Sequence, residues 1–207
     1  MEILYSDNAL AVCVKPVGLD SEQEVPAALI QVLGGEIFPI HRLDKNVGGV
    51  MVYARTRQAA AALSRAIQEG SLVKEYVALV HGTPPETGDW EDLLFKDSAK
   101  NKVFVVKKER KGVKKARLGY RVLTSGPDSL VRIRLHTGRS HQIRVQFSHR
   151  GLPLLGDIRY GSKAACSPAL WSCRLAFTHP VTKKAVDVTC PPPESWPWTL
   201  FNADTYA

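Results

Sequence analysis

One carboxylate and a run of arginines are the residues in this chain best suited to chemistry. His41-Arg42-Leu43-Asp44 follows an apolar approach, Phe38-Pro39-Ile40, and runs into Gly48-Gly49. A second block, Thr137-Gly138-Arg139-Ser140-His141-Gln142-Ile143-Arg144, lies in the last third of the chain. A carboxylate in a glycine-containing turn is a candidate nucleophile, general base or metal ligand. A catalytic metal wants more ligands than this, and the sequence has no HExxH, no paired DxD and no zinc-spaced histidine pair, so no metal is expected. A retaining glycosidase wants a second acid to protonate its leaving group, and no second acid is marked out. Asp44 taken alone also reads as a turn aspartate capping its own backbone.

Arg144 shares a helix face with His141, Val145 and Ser148. An arginine on a partly buried face needs an anionic partner, because an unpaired buried charge is costly. Asp44 is one candidate and a nucleic-acid phosphate another. Tyr76, in Lys74-Glu75-Tyr76-Val77, is ordinary strand packing unless a base lies beside it, where it could stack and offer its hydroxyl.

The positioning elements follow from pattern. Ile3 to Tyr5 and Leu10 to Val14 read as strands around Asp7-Asn8. Lys15-Pro16-Val17-Gly18-Leu19 breaks them into a loop. Pro26 to Leu33 reads as a short helix ended by Gly34, and Val50 to Ala54 as a strand. The clearest helix is Gln58 to Glu69, with Thr56 or its neighbours as cap, a stripe of Ala59, Leu63, Ala66 and Ile67, and Gly70 as stop. Val73 to Val80 is a strand. Val103 to Lys108 and Ala116 to Leu123 read as the two strands of a basic hairpin. In Leu130 to His136, Val131, Ile133 and Leu135 point one way and Arg132, Arg134 and His136 the other. His141 to Arg150 is a helix closed by Gly151, and strands follow near Leu170 to Thr178 and Ala185 to Thr189. This strand-rich order with a few helices gives a mixed α+β fold with a large, partly antiparallel sheet.

Composition narrows the partners. The 207 residues carry a net charge of +8, which favours a polyanion. Between Lys96 and Arg117 ten basic residues, among them Lys107, Lys108, Lys114 and Lys115, stand against Asp97 and Glu109. They form either a phosphate-contacting arm or a lysine-guarded sheet edge. No apolar run approaches a membrane span, and Met1 to Tyr5 does not read as a signal peptide, so a cytoplasmic protein is expected. Cys13, Cys166, Cys173 and Cys190 lack CxxC spacing and read as reduced thiols.

These blocks together resemble the RluA-type pseudouridine synthases. His41-Arg42-Leu43-Asp44 followed by Gly49 is similar to that family's signature, and Lys15-Pro16-Val17-Gly18-Leu19 to its early loop. Lys74-Glu75-Tyr76 with Gly82 is similar to its tyrosine strand. Thr137 to Arg144 with Gly151, Pro153, Leu155-Gly156-Asp157 and Tyr160-Gly161 resembles its third block. Leu175-Ala176-Phe177 with His179-Pro180 resembles its C-terminal strand start. The blocks keep the family's order from about Ile3 to Pro193.

The resemblance implies a mixed, mostly antiparallel sheet with flanking helices and a central basic cleft, in a single catalytic domain over residues 1–207 without a separate N-terminal RNA-binding domain. It implies isomerisation of uridine to pseudouridine in ribosomal or transfer RNA, with no cofactor. Asp44 would be the catalytic aspartate, Tyr76 would pack on the base and assist removal of the C5 proton, and Arg144 would pair with Asp44. Arg42 would push into the RNA stack, and His41, Arg139, His141, Gln142 and Ile143 would line the substrate site. Lys107, Lys108, Lys114, Lys115, Arg132 and Arg134 would contact RNA. A monomer is the default. The physics is coherent, since a stacked uridine must be flipped out before its glycosidic bond can be reached. The chain departs from the family after Asp44, where Val47 and Gly48 replace the usual threonine and serine. A non-catalytic RNA-binding relative is therefore one alternative, and an aspartate-dependent nucleoside glycosidase another.

Overall fold

A computed structural model describes residues 1–202 and Thr205. The chain divides into two compact units, Met1–Glu75 with Trp171–Pro191, and Tyr76–Leu170 with Pro192–Ala207. Among the described residues no helix is long and apolar enough to cross a membrane.

The first unit contains β1 (Ile3–Ser6), β2 (Leu10–Lys15), α1 (Glu24–Leu33), β3 (Phe38–Pro39), β4 (Gly48–Ala54) and α2 (Arg57–Gln68). It is completed late in the chain by β10 (Leu170–Thr178) and β11 (Ala185–Thr189). Asp7 makes the first turn by accepting the amides of Ala9 (2.7 Å) and Leu10 (2.9 Å) on one carboxylate oxygen. β2 then pairs antiparallel with β4 from Leu10↔Ala54 to Lys15↔Gly49. β4 pairs parallel with β10 at Gly48↔Trp171 and Gly49↔Ser172. All seven residues of β4 are buried, as expected for a central strand covered on both faces. α2 starts at Thr56, whose hydroxyl accepts the Ala59 amide at 3.1 Å. Its Ala59 and Leu63 pack with Val50, Val52, Leu175 and Phe177 into one core.

The second unit contains most of β5 (Val73–His81), then β6 (Thr87–Asp97), β7 (Lys102–Val106), β8 (Val113–Thr124), β9 (Asp128–Leu135) and α3 (Gln142–His149). Its strand order is β5-β9-β8-β6-β7. The expected hairpin of two basic strands is corrected here. β7 and β8 are not neighbours, because β6 lies between them and pairs antiparallel with both. Four of the eleven residues of β6 are acidic and one is glycine, which masks its strand formers Trp90 and Phe95 in the pattern. Its partner supplies the reason it forms: Asp89 and Glu91 lie against the basic β8, and Arg117 holds Asp89 through two bonds of 3.0 and 2.8 Å.

α3 packs on the face of this sheet that carries Trp90, Asp92 and Leu94. Phe147 sits 4.7 Å from the Trp90 ring and 5.3 Å from Tyr120. Asp92 accepts from Gln146 (2.7 Å) and Arg150 (2.8 Å), and the Arg150 guanidinium covers Trp90 at 4.2 Å. In β9 the expected alternation holds: Val131 and Ile133 are buried and Arg134 is exposed. All four cysteines are free thiols, and burial pushes Cys13 up to about 12.

Candidate active site

In the first unit the loop carrying Asp44 is pinned at three successive residues. The Ser21 hydroxyl accepts the Leu43 amide (3.2 Å) and donates to the Leu43 carbonyl (3.0 Å). Ser21 is itself held by Tyr53, whose phenol donates to its carbonyl at 2.8 Å from the core of β4. The Asp44 carbonyl accepts the Val47 amide at 2.9 Å, closing a turn. The Lys45 carbonyl accepts from the Gly18 amide (2.8 Å) and from Nζ of Lys15 (3.1 Å), which also donates to the Pro16 carbonyl (2.9 Å). Lys15 is fully buried. Burial lowers its ammonium to about 8, against the pull of Asp20, Asp44 and Glu24. The early lysine-proline loop and the aspartate loop are thus one hydrogen-bonded assembly, with the half-buried Asp44 side chain on it.

His41 is fixed as a neutral imidazole. Its Nε2 accepts the Val52 amide at 3.1 Å, so the proton sits on Nδ1, which is buried without a partner among the described residues. Burial drives the ring down to about 3, with the Lys74 charge adding to it. Arg42 lies at the surface, 3.3 Å from Glu22 in an exposed pair that contributes little.

The two glycines after the aspartate have a packing origin. A Cβ on Gly48 would run into the indole edge of Trp171, 2.9 Å from Cε3, and sit 3.0 Å from the Lys15 carbonyl oxygen. Gly49 has φ of +119° and a Cβ there would meet the Ser172 backbone, 2.8 Å from its carbonyl carbon. Neither a serine nor a threonine fits either place without displacing β10.

In the second unit Tyr76 is buried in β5. Arg144 is buried on α3 and grips Asp157 bidentately, Nε to Oδ2 at 2.7 Å and Nη2 to Oδ1 at 2.8 Å. Asp157 was not among the expected partners of Arg144. Its only trace in the sequence is its place in the Leu155-Gly156-Asp157 block. The Tyr160 ring lies under the guanidinium, 5.2 Å away, and its hydroxyl accepts the Val103 amide at 2.9 Å. Nδ1 of His141 is 2.9 Å from that hydroxyl. His141 has φ of +51° and starts the helix.

Gln142 is buried and ties the preceding loop together: its carbonyl oxygen accepts from Thr137 (2.8 Å) and the Arg139 amide (3.0 Å), and its amide donates to the Arg117 carbonyl (3.1 Å). Ile143 is buried, and exposed Arg139 donates from Nε to the Lys115 carbonyl. Lys107, Lys108 and Lys114 are exposed, and exposed Lys115 lies 3.5 Å from Glu109. In register, Arg132 stands beside Arg121 and Arg134 beside Gly119. Arg139, Lys114 and Lys96 rim a groove floored by Leu94 and Val103, on the face of β6–β8 where α3 packs.

Comparison with solved structures identifies the class of fold. The chain superposes on human RNA pseudouridylate synthase domain containing 4 with a TM-score of 0.80, at 24% identity, covering 96% of this chain and 91% of that one. Human RNA pseudouridylate synthase domain containing 1 gives 0.79 at 23% identity, covering 93% and 83%. In sequence, the model of the RNA pseudouridylate synthase family matches residues 10–149. Ribosomal large subunit pseudouridine synthase D of Zymomonas mobilis is 31% identical over 94% of this chain and 70% of its own length. tRNA pseudouridine synthase C of Haemophilus influenzae is 30% identical over 95% of each. The chain therefore belongs to the RNA pseudouridylate synthase family, in its RluA-type branch.

Proposed function

We propose that this protein isomerises uridine to pseudouridine in structured ribosomal or transfer RNA, in the cytoplasm, with Asp44 as the catalytic carboxylate. The N1–C1′ bond of the target breaks, the base turns, C5 bonds to C1′, the C5 proton leaves and N1 takes up a proton. Asp44 acts at the ribose and Tyr76 packs on the base and assists loss of the C5 proton. Arg144 serves the same chemistry as a buried guanidinium held in one orientation by Asp157. Arg42, exposed beside Asp44 in sequence, enters the RNA stack as the uridine leaves it, and the exposed lysines of the β6–β8 region hold phosphates.

The observation that carries this reading is the loop itself. A single carboxylate sits on a turn whose backbone is held at Leu43, Asp44 and Lys45 by Ser21, Val47, Gly18 and Lys15. A nucleophile or base held that firmly reaches a bound substrate with little loss of orientation. Family membership supports the same assignment, and the packing of Gly48 against Trp171 gives a steric reason for the missing hydroxyl at position 48.

The test is tritium release from total RNA carrying 5-tritiated uridine, prepared from cells lacking this protein. Wild type releases tritium and Asp44→Asn does not, while both bind the RNA. Equal release by the two proteins overturns the role of Asp44. No release by wild type overturns the activity, and free uracil among the products would make the protein a glycosidase.

A further inference from the structure

A second constellation of chemical residue types lies at the end of β5, outside the residues assigned above. Nδ1 of His81 is 2.6 Å from an Asp128 carboxylate oxygen, and its Nε2 is 2.9 Å from the Ser162 hydroxyl. Serine, histidine and aspartate in that order are the parts of a hydrolytic triad. Counting lone pairs excludes that use. The Ser162 oxygen already accepts the amides of Gly156 (2.9 Å) and Ala164 (3.2 Å), and Ser162 is only 5% exposed. Both acceptor positions are filled, so the hydroxyl proton goes to Nε2 and His81 must carry its own proton on Nδ1, facing Asp128. The direction of every bond in the chain Ser162–His81–Asp128 is therefore fixed.

The device closes one particular loop. Gly156 and Ser162 bracket Asp157, whose carbonyl also accepts the amides of Tyr160 (3.0 Å) and Ser162 (3.1 Å). Asp157 in turn holds two nitrogens of Arg144 in one plane. From the end of β5, His81 thus sets where Ser162 sits, Ser162 sets the Gly156 amide, and the residue after Gly156 sets the guanidinium. Tyr76 is five residues earlier on the same strand, about 16 Å away at strand rise, so His81 does not itself touch the chemistry of the base.

We infer that His81 is a positioning residue for the isomerisation, acting through Ser162 and the Asp157 loop to hold the Arg144 guanidinium. The inference rests on the role given to Arg144 above.

The test compares His81→Leu, His81→Gln and Arg144→Lys in single-turnover tritium release at saturating enzyme, with filter binding of the same total RNA and thermal melting alongside. Glutamine presents an acceptor where Nε2 was and leucine does not. His81→Leu slows the chemical step by about 10-fold or more, the scale that misplacement of a remote group produces, while RNA affinity is unchanged and the protein is folded at the assay temperature. His81→Gln recovers to within about 3-fold of wild type, an expectation that follows from the retained acceptor. A wild-type rate in His81→Leu overturns the inference, as does equal loss in the leucine and glutamine variants, or a loss that tracks weakened RNA binding. A wild-type rate in Arg144→Lys instead removes the role of Arg144, and the inference falls with it. If His81→Leu does not fold, Asp157→Asn replaces it and must show the same slowed step with intact binding.

Discussion

Restoring a serine at position 48 is predicted to destabilise the protein, and the cause is a single tryptophan. A Cβ on Gly48 lies within the van der Waals envelope of the Trp171 ring, with Cε3 at 2.9 Å and the Lys15 carbonyl oxygen at 3.0 Å behind it. Trp171 cannot simply swing away, because it is buried and its indole N–H donates to the Cys190 carbonyl at 3.1 Å. Overpacking a filled interior costs roughly 1–3 kcal/mol. For a chain of this size 2 kcal/mol lowers Tm by about 4–8 °C. Urea unfolding of Gly48→Ser, Trp171→Leu and the double variant measures the cause as well as the cost. Leucine removes the ring edge, so the serine should cost about 1 kcal/mol less in that background, a coupling in the range found for touching residues. Equal cost of Gly48→Ser in both backgrounds would refute the steric argument, and so would a serine variant as stable as wild type.

Two further perturbations probe the aspartate loop. Ser21→Ala leaves the Leu43 amide and carbonyl without their bracket and should cost about 1–3 kcal/mol in urea unfolding, with reduced turnover, since the loop behind Asp44 loosens; unchanged stability would show that Ser21 holds nothing. Lys15 is predicted to titrate near pH 8 rather than 10.5 because it is buried. Its sign is worked from proton counts: between about pH 8 and 10.5 the unfolded chain binds the proton that folded Lys15 has released, so its contribution to stability rises with pH across that window and is flat below it. Nitrogen-detected NMR of the Lys15 amine gives the midpoint directly, and a value above 10 contradicts the assignment.

Most helices and strands were legible in the sequence, the opening pair β1 and β2 among them, and β6 was not. α2 announced itself through Thr56, its Ala59–Leu63 stripe and Gly70, and the structure places the helix at Arg57–Gln68. β6 was invisible because Thr87–Asp97 has no apolar alternation of its own. It is held by the charges of β8 on one side, and a partner strand cannot be read from the segment alone. In the site, Asp44 stood out because its neighbours are unusual residue types close together in sequence. Asp157 did not, because its meaning comes from a guanidinium thirteen residues away on α3, and a loop aspartate is ordinary on its own. Ser21 was equally silent, being twenty-two residues from the backbone it brackets. Lys15 was visible as part of a block, but its task beneath Lys45 needed coordinates.

The first unit is discontinuous, and this orders its assembly. The Ser172 hydroxyl reaches the Val50 carbonyl across 122 residues of chain. On a ribosome β1, β2 and β4 emerge early, yet β10 follows only after the whole of β6 to β9 has been made. Those intervening strands pair antiparallel with near neighbours in sequence, so loop closure favours their formation first. Gly48 and Gly49 consequently cannot meet Trp171 and Ser172 until that stretch has been synthesised. Until then the flank of the aspartate loop lacks β10, and a nascent chain stalled before Leu170 would carry Asp44 without the strand that confines its turn.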